Sequence, residues 1–195
     1  MSQPRLILAS ASPQRQRLLE QAGYQFETHV ASIDENDFPP DALPADVALR
    51  LARRKADAVA AKFPDAVVLG ADTVVAFGDQ IIGKPRDAEH ARQMLQLLSG
   101  TTHIVITGVA VRHKQANHAA DARVMSAVRV RPLTAREIDA YVASGEWQGK
   151  AGGYGIQDPD PFVTRMTGSH SNIVGLPMEA TRRLLAAAGI YPKES

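Results

Sequence analysis

The chain contains no cysteine, which removes disulfides, thiolate-bound metals and thiol nucleophiles from consideration and permits a reducing compartment. Aromatic residues make up only 5% of its 195 residues, too few to interleave with a basic stripe in the manner of nucleic-acid-binding surfaces. Neither sign of charge is in excess. The 22 Lys and Arg against 21 Asp and Glu leave a formal net charge of +1, so no overall field holds a polyanion and any anion site must be local. No apolar stretch approaches the ~20 residues of a membrane span, and the run in MSQPRLILAS is too short for the core of a signal peptide. We therefore expect a cytoplasmic protein with neither a membrane nor a nucleic-acid partner. Internal repeats, low-complexity linkers, the Walker pattern and HExxH are missing as well. The glycines of AGGYG at 151–155 have neither the spacing nor the strand-helix context of GxGxxG, and the six histidines show no metal-ligand spacing.

What is present reads as an ordinary folded protein, with 45% hydrophobic and 22% charged residues, and we expect one unit over residues 1–195. Residues 5–9 (RLILA) form a buried strand pattern, followed by Ser12 at an N-cap, Pro13 at the first helical position and Gly23 at the C′ position. Residues 45–63 carry apolar side chains at helical spacing. Residues 66–77 (AVVLGADTVVAF) are apolar and β-branched on both sides of Asp72, and Gly78-Asp79 before QII predicts a hairpin. Asp87 and Gly100 bracket a helix. Strands are expected at 103–113 and 122–130 around a turn at Asn117. Thr134 and Glu137 have capping-box spacing for a helix over 134–144, ended by Gly145. Short strands at 154–156 and 162–165 and a last helix between Pro177 and Gly189 complete the order. Strands in hairpin succession within an α/β alternation predict a mixed sheet flanked by helices, with two lobes around a cleft.

Three places carry candidate chemistry. In Ser10-Ala-Ser12-Pro-Gln-Arg15 a strand feeds a helix N-terminus, where open N–H groups, two hydroxyls and a guanidinium suit a phosphate; taken alone, the segment reads more readily as an ordinary cap with a surface arginine. Asp72 sits in a strand-like run where a bare charge is costly. It is either a loop carboxylate satisfied by backbone N–H groups or a functional group with a cation beside it, for which Lys55 and Lys84, in Gly83-Lys84-Pro85, are candidates. Glu35, within Asp34-Glu35-Asn36-Asp37, is able to join Asp72 around a hard divalent cation such as Mg²⁺ or Mn²⁺, which prefers oxygen ligands. Asp158-Pro-Asp-Pro161 reads as a stiff turn rather than a carboxylate pair.

Taken in order, these segments resemble the Maf family, assigned as nucleoside triphosphate pyrophosphatases. The resemblance rests on Ser10, Ser12, Pro13 and Arg15 of an SxSPRR-type motif, Glu35 in the acidic loop, Lys55 in RLARRKA, Asp72 and Thr73 in GADTVV, Lys84 in GKP, Gln157 in YGIQ, and VGLP at 174–177. It implies a fold similar to the inosine triphosphate pyrophosphatases, with the nucleotide in a cleft between lobes. It also implies water attack on the α-phosphorus, with Asp72 as general base, Lys84 as a catalytic cation, and a divalent metal held by Glu35 and Asp72. Arg15 and Lys55 would join Lys84 on the triphosphate, and Ser10, Ser12 and Gln14 would line the same site. Thr73 and Gln157 resemble the members acting on dTTP and UTP, whereas 7-methyl-GTP members read more like SDQ and lack the glutamine. One departure is Gln14, where the pyrimidine group has arginine: the charge is lost, while donor and acceptor remain. A homodimer is also implied. The rival readings are a 7-methyl-GTP pyrophosphatase and a non-catalytic nucleotide-binding regulator of cell division.

Overall fold

The computed structural model describes residues 3–157 and 162–193. A mixed seven-stranded sheet organises them. Its path runs β2 (Glu27–Thr28), β1 (Leu6–Leu8), β3 (Val67–Phe77), β5 (Thr102–His113), β6 (His118–Val130) and β7 (Val163–Thr167), with β4 (Gln80–Ile82) paired to β3 off that path. β1 is parallel to β2 and β3, and the other pairings are antiparallel, as the hairpin succession predicts.

One detail of the register creates the site. Along one edge β3 pairs with β5 from Val68 to Ala76. Along the other edge β1 covers only Val67, Val68 and Leu69, and β4 only Val75, Ala76 and Phe77. Residues 70–74 therefore have no strand beside them on that edge, and Asp72 and Thr73 lie in the middle of the gap.

The helix α2 (Pro44–Ala60) crosses one face of the sheet at unusually short range. Its face is lined by Ala48, Ala52 and Ala56, each fully buried, spaced four apart so that they stack on one side of the helix. Opposite them the strands carry glycine. A Cβ on Gly70 would stand 2.4 Å from the Ala52 carbonyl oxygen, and one on Gly108 would stand 2.4 Å from that of Ala48. No other residue allows that approach, which delivers Lys55 to the strand carrying Asp72. On the opposite face α1 (Pro13–Gln21) and α6 (Met178–Ala187) cover Leu6, Leu8, Val67, Leu69, Val109 and Val111. A separate apolar cluster under α3 (Ala88–Leu98) and α4 (Ala135–Ser144) contains Val75, Leu95, Leu98, Val128, Trp147 and Tyr154.

The cap signals hold where the side chains are free to make them. Asp87 accepts from the His90 N–H at 2.7 Å, and Thr134 with Glu137 forms the reciprocal capping box. Two expectations change and one element is added. No strand forms at 154–156: Gly152 and Gly153 both take left-handed conformations, at φ 76° each, in a 3₁₀ turn over Ala151–Gly153. The Gly152 N–H donates to the Gly83 carbonyl at 3.0 Å, so the segment is held by the loop carrying Lys84 rather than by a ladder. β6 begins at His118, not at residue 122, because Ala119, Ala120 and Asp121 continue the pairing with Arg112, Val111 and Ala110 up to the turn. A further short helix, α5 (His170–Val174), capped by Ser169, follows β7. Residues 158–161, expected as a stiff turn, lie outside the described residues. No described helix is long and apolar enough to cross a membrane.

Candidate active site

A cleft of about 1020 Å³ opens at the gap beside β3, at the upper end of the volumes usual for small-ligand sites. Ser10, Ser12, Gln14, Arg15, Glu35, Lys55, Asp72, Thr73, Lys84 and Gln157 all line it. Residues separated by up to about three quarters of the chain are thus brought together by the turn after β1, the acidic loop, α2, β3, the loop after β4 and the turn after α4.

At its floor stands an ion triad. Lys55 Nζ lies 2.6 Å from Asp72 Oδ1 and 2.6 Å from Glu35 Oε1. Lys55 and Asp72 are both buried, while the Glu35 side chain is half exposed. Burial pushes the Asp72 carboxyl above the ordinary carboxylate range. The charge and hydrogen bond of Lys55 and the charge of Arg15 oppose this without cancelling it, and Glu35 adds to the rise. Glu35 ends on the other side: burial lifts it, but the hydrogen bond and charge of Lys55, with Lys84 and Arg15, bring it below its usual value. Two neighbouring carboxylates are thereby driven in opposite directions, the pattern that separates a proton acceptor from a permanently charged group.

Arg15 is more deeply engaged than an anion-gripping side chain at a helix start needs to be. It is 8% exposed; Nε donates to the Gly175 carbonyl at 2.8 Å, Nη1 to Ser10 Oγ at 3.0 Å and Nη2 to Thr73 Oγ1 at 3.1 Å. Burial lowers its pKa, against the pull of Asp72 and Glu35, but a guanidinium stays charged. With three of its five N–H groups committed to protein, two remain for a ligand. The guanidinium therefore braces β1, β3 and the segment after α5 as well as supplying charge.

Ser12 occupies the N-cap position of α1, yet its hydroxyl makes no cap bond and donates to Gln14 Oε1 at 3.1 Å. The Ser12 N–H in turn donates to Ser10 Oγ at 3.2 Å. No side chain caps the helix start, so the first-turn N–H groups beyond Pro13 keep their affinity for an anion. Lys84 is exposed at the cleft wall, and its charge reaches Glu35. Gln157 lies on the same wall, three residues after the buried Tyr154.

The residues the motifs do not reveal are those behind the site. Thr107, fully buried on β5, shares a 2.9 Å hydroxyl contact with Thr73 and donates to the Asn172 carbonyl at 3.2 Å. Asn172, also fully buried, holds Val105 O and Ser126 Oγ through its amide at 3.1 and 3.0 Å. These bonds seat α5 and with it the Gly175 carbonyl that takes Arg15. The VGLP segment marks this region in the sequence, but only the register of β3 on β5, which sets Thr73 opposite Thr107, identifies the partner.

No group of three or more His, Asp or Glu suited to a metal occurs among the described residues. The donor set at the cleft floor is two carboxylates within reach of one ammonium. That suits a hard cation completing its shell with water and substrate phosphates, and it does not suit a closed structural site.

Comparison with known proteins places these features in a family. The model described as Maf-like protein matches residues 5–188. The chain is 48% identical over 185 residues to a dTTP/UTP pyrophosphatase of Salinibacter ruber, covering 94% of this chain and 90% of the relative. It is 49% identical over 189 residues to a dTTP/UTP pyrophosphatase of Sphingopyxis alaskensis, covering 96% and 98%. Among solved structures, a HAM1 protein from Coxiella burnetii superposes with a TM-score of 0.51 at 16% identity, over 94% of this chain and 99% of that one. At that identity the likeness speaks for the fold alone.

Proposed function

Since the chain belongs to the family of Maf-like proteins, we propose that it is a nucleoside triphosphate pyrophosphatase that converts dTTP and UTP to the nucleoside monophosphate and pyrophosphate. One observation carries the reading: a single cleft gathers cationic side chains, Arg15, Lys55 and Lys84 among them, around two carboxylates, Glu35 and Asp72. A triphosphate needs such cations, and its hydrolysis needs a base.

The reaction is attack by water on the α-phosphorus. The bond from that phosphorus to the oxygen bridging to the β-phosphate breaks, pyrophosphate leaves, and a proton of the water passes to Asp72. Burial brings Asp72 nearer to neutral pH than an exposed aspartate and makes it a better acceptor. Lys55 fixes the orientation of Asp72 through its 2.6 Å bond and offsets the charge of both acids. Lys84, Arg15 and the open N–H groups of α1 hold phosphate oxygens, where fixed cations stabilise charge developing in the transition state. Glu35 and Asp72 would hold Mg²⁺ or Mn²⁺, which when bound supplies charge neutralisation of the phosphates. Gln157 reads the pyrimidine, with Gln14 contributing neutral hydrogen bonds in place of a charge, and Thr73, its hydroxyl engaged with Arg15 and Thr107, lines the same site.

Pyrophosphate release from a nucleotide panel at fixed Mg²⁺ or Mn²⁺ tests this directly. UTP and dTTP should exceed ATP, GTP and 7-methyl-GTP in kcat/KM. A preference for 7-methyl-GTP would overturn the substrate, and no release from any nucleotide would favour the non-catalytic regulator. For Lys84→Ala we expect kcat/KM to fall roughly 10²-fold, with KM raised and kcat lowered, because a phosphate-holding cation acts in both the ground and the transition state. The melting temperature should not move, since the side chain is exposed. Wild-type kinetics would make Lys84 an ordinary solvated lysine.

A further inference from the structure

Behind the wall that carries Gln157 lies a buried polar pair that the reaction itself does not use. Tyr154, 7% exposed, lines the cleft and places its hydroxyl 2.8 Å from Nε2 of His103 on β5, which is 1% exposed. The two rings meet edge to face, with centroids 5.7 Å apart and planes at 87°. His103 Nδ1 has no partner among the described residues. Burial with no compensating charge pushes the imidazole down to about 4, so it is neutral at physiological pH. An apolar ring would fill the same space without leaving a ring nitrogen unsatisfied, and a buried polar group that is only partly paired is costly. Packing alone therefore gives no reason for a histidine here.

The surroundings of Tyr154 show what the bond controls. Immediately before it, the 3₁₀ turn Ala151–Gly153 clamps onto the loop carrying Lys84. The Gly152 N–H bonds to the Gly83 carbonyl at 3.0 Å, and a Cβ on Gly153 would lie 3.3 Å from Pro85 Cγ. Immediately after it run Gly155, Ile156 and Gln157, which line the cleft without any strand pairing. Tyr154 is thus a polar anchor of this wall to the sheet, with a proposed base reader on one side and a phosphate cation on the other, beside the apolar contact of Gly152 with Val75.

We infer that His103 and Tyr154 form a positioning pair: the hydroxyl-to-imidazole bond fixes the wall made by the 149–157 segment and the Gly83-Lys84-Pro85 loop, and so sets where Gln157 meets the pyrimidine and Lys84 meets the phosphates. The inference rests on the proposed pyrophosphatase activity. Neither residue exchanges protons with the substrate; both act through the geometry of Gln157 and Lys84. A wall released from its anchor weakens ground-state binding and base discrimination more than the chemistry at Asp72, which sits on β3 and is held by its own bond from Lys55.

The test uses Tyr154→Phe, His103→Leu, their combination, and His103→Gln, whose amide reaches the position of Nε2. Steady-state kinetics with UTP, dTTP and GTP and thermal unfolding are measured for each. We expect Tyr154→Phe and His103→Leu each to raise KM for UTP about tenfold while kcat changes less than about threefold, and to narrow the preference for UTP over GTP. The double variant should be no worse than either single one, since both remove the same bond, and His103→Gln should recover most of the loss. Variants with lower melting temperatures but wild-type KM and wild-type preference would reduce the pair to core filling and overturn the proposal. So would additive losses in the double variant. A wild-type enzyme showing no preference for pyrimidines would refute the substrate reading instead, and the KM comparison with the best nucleotide would still decide the role of the pair.

Discussion

Asp72→Asn is expected to lower kcat by at least ~10²-fold, the scale of losing a general base, while the protein stays folded. Asparagine keeps the size and the hydrogen-bonding shape of the side chain but removes the negative charge and the capacity to take a proton. Repulsion between Asp72 and Glu35 would be the first reason to expect a gain in stability from this change. The geometry replaces that reason, because Lys55 stands between the two acids at 2.6 Å from each. What remains is the burial of Asp72. A carboxyl whose folded pKa is raised contributes stability below its unfolded pKa and loses it as pH rises through the folded value. At neutral pH its charge is a net cost, so the neutral amide should leave the melting temperature unchanged or slightly higher. Lys55 then keeps Glu35 as its ion-pair partner. Kinetics and unfolding on one preparation separate the cases: an active Asp72→Asn enzyme would remove the base from the mechanism, and an inactive one with a collapsed melting temperature would make Asp72 structural.

Lys55→Met should have the largest effect on stability. Methionine retains the stem packed along α2 but leaves a buried carboxylate facing a second one with no cation between them. Breaking a buried charged pair on one side costs about 3–5 kcal/mol, and proton uptake by Asp72 together with exposure of Glu35 limits the figure to its lower end. For a chain of this size about 3 kcal/mol corresponds to a fall of roughly 6–12 °C in melting temperature. The deficit should shrink as pH falls, because removing Lys55 removes the main influence lowering the Asp72 pKa, and the protonated acid no longer repels Glu35. Added Mn²⁺ should raise the melting temperature of Lys55→Met more than that of the wild type, since a cation bound only by the folded state stabilises it by mass action. Activity should be lost together with stability. A variant as stable as the wild type at every pH, and indifferent to Mn²⁺, would show that the triad is not a working charge cluster.

The elements with local signals were legible in the sequence. Pro13, Asp87, Thr134 with Glu137, and Gly145 act within one turn of where they stand, and each marks a helix end that forms. The strand at 154–156 failed for the opposite reason. Tyr154 and Ile156 have strand-forming side chains, but the glycines at 152 and 153 turn the chain beforehand, and its hydrogen-bonding partner, Gly83, is almost seventy positions away. Within the site, Asp72 stood out because a charge in an apolar run demands a partner, and Lys55 is that partner. The double commitment of Lys55 was hidden, as was the bracing of Arg15 by Ser10, Thr73 and Gly175. The first depends on how closely α2 approaches the sheet over Gly70 and Gly108, and the second on how the segment after α5 returns to β3; both follow from residue contacts across the fold and not from any local pattern. Thr107 and Asn172 look like ordinary strand and loop residues until the register of β3 on β5 sets Thr73 beside Thr107.

The central claim is the bond that breaks, and the most direct measurement is hydrolysis of UTP in ¹⁸O-labelled water with the products resolved by phosphorus NMR and mass spectrometry. Attack on the α-phosphorus predicts UMP and pyrophosphate, with the label in the phosphate of UMP and none in pyrophosphate. UDP with labelled inorganic phosphate, or label in pyrophosphate, would place the attack elsewhere and contradict the arrangement of Asp72, Lys55 and Lys84 described above.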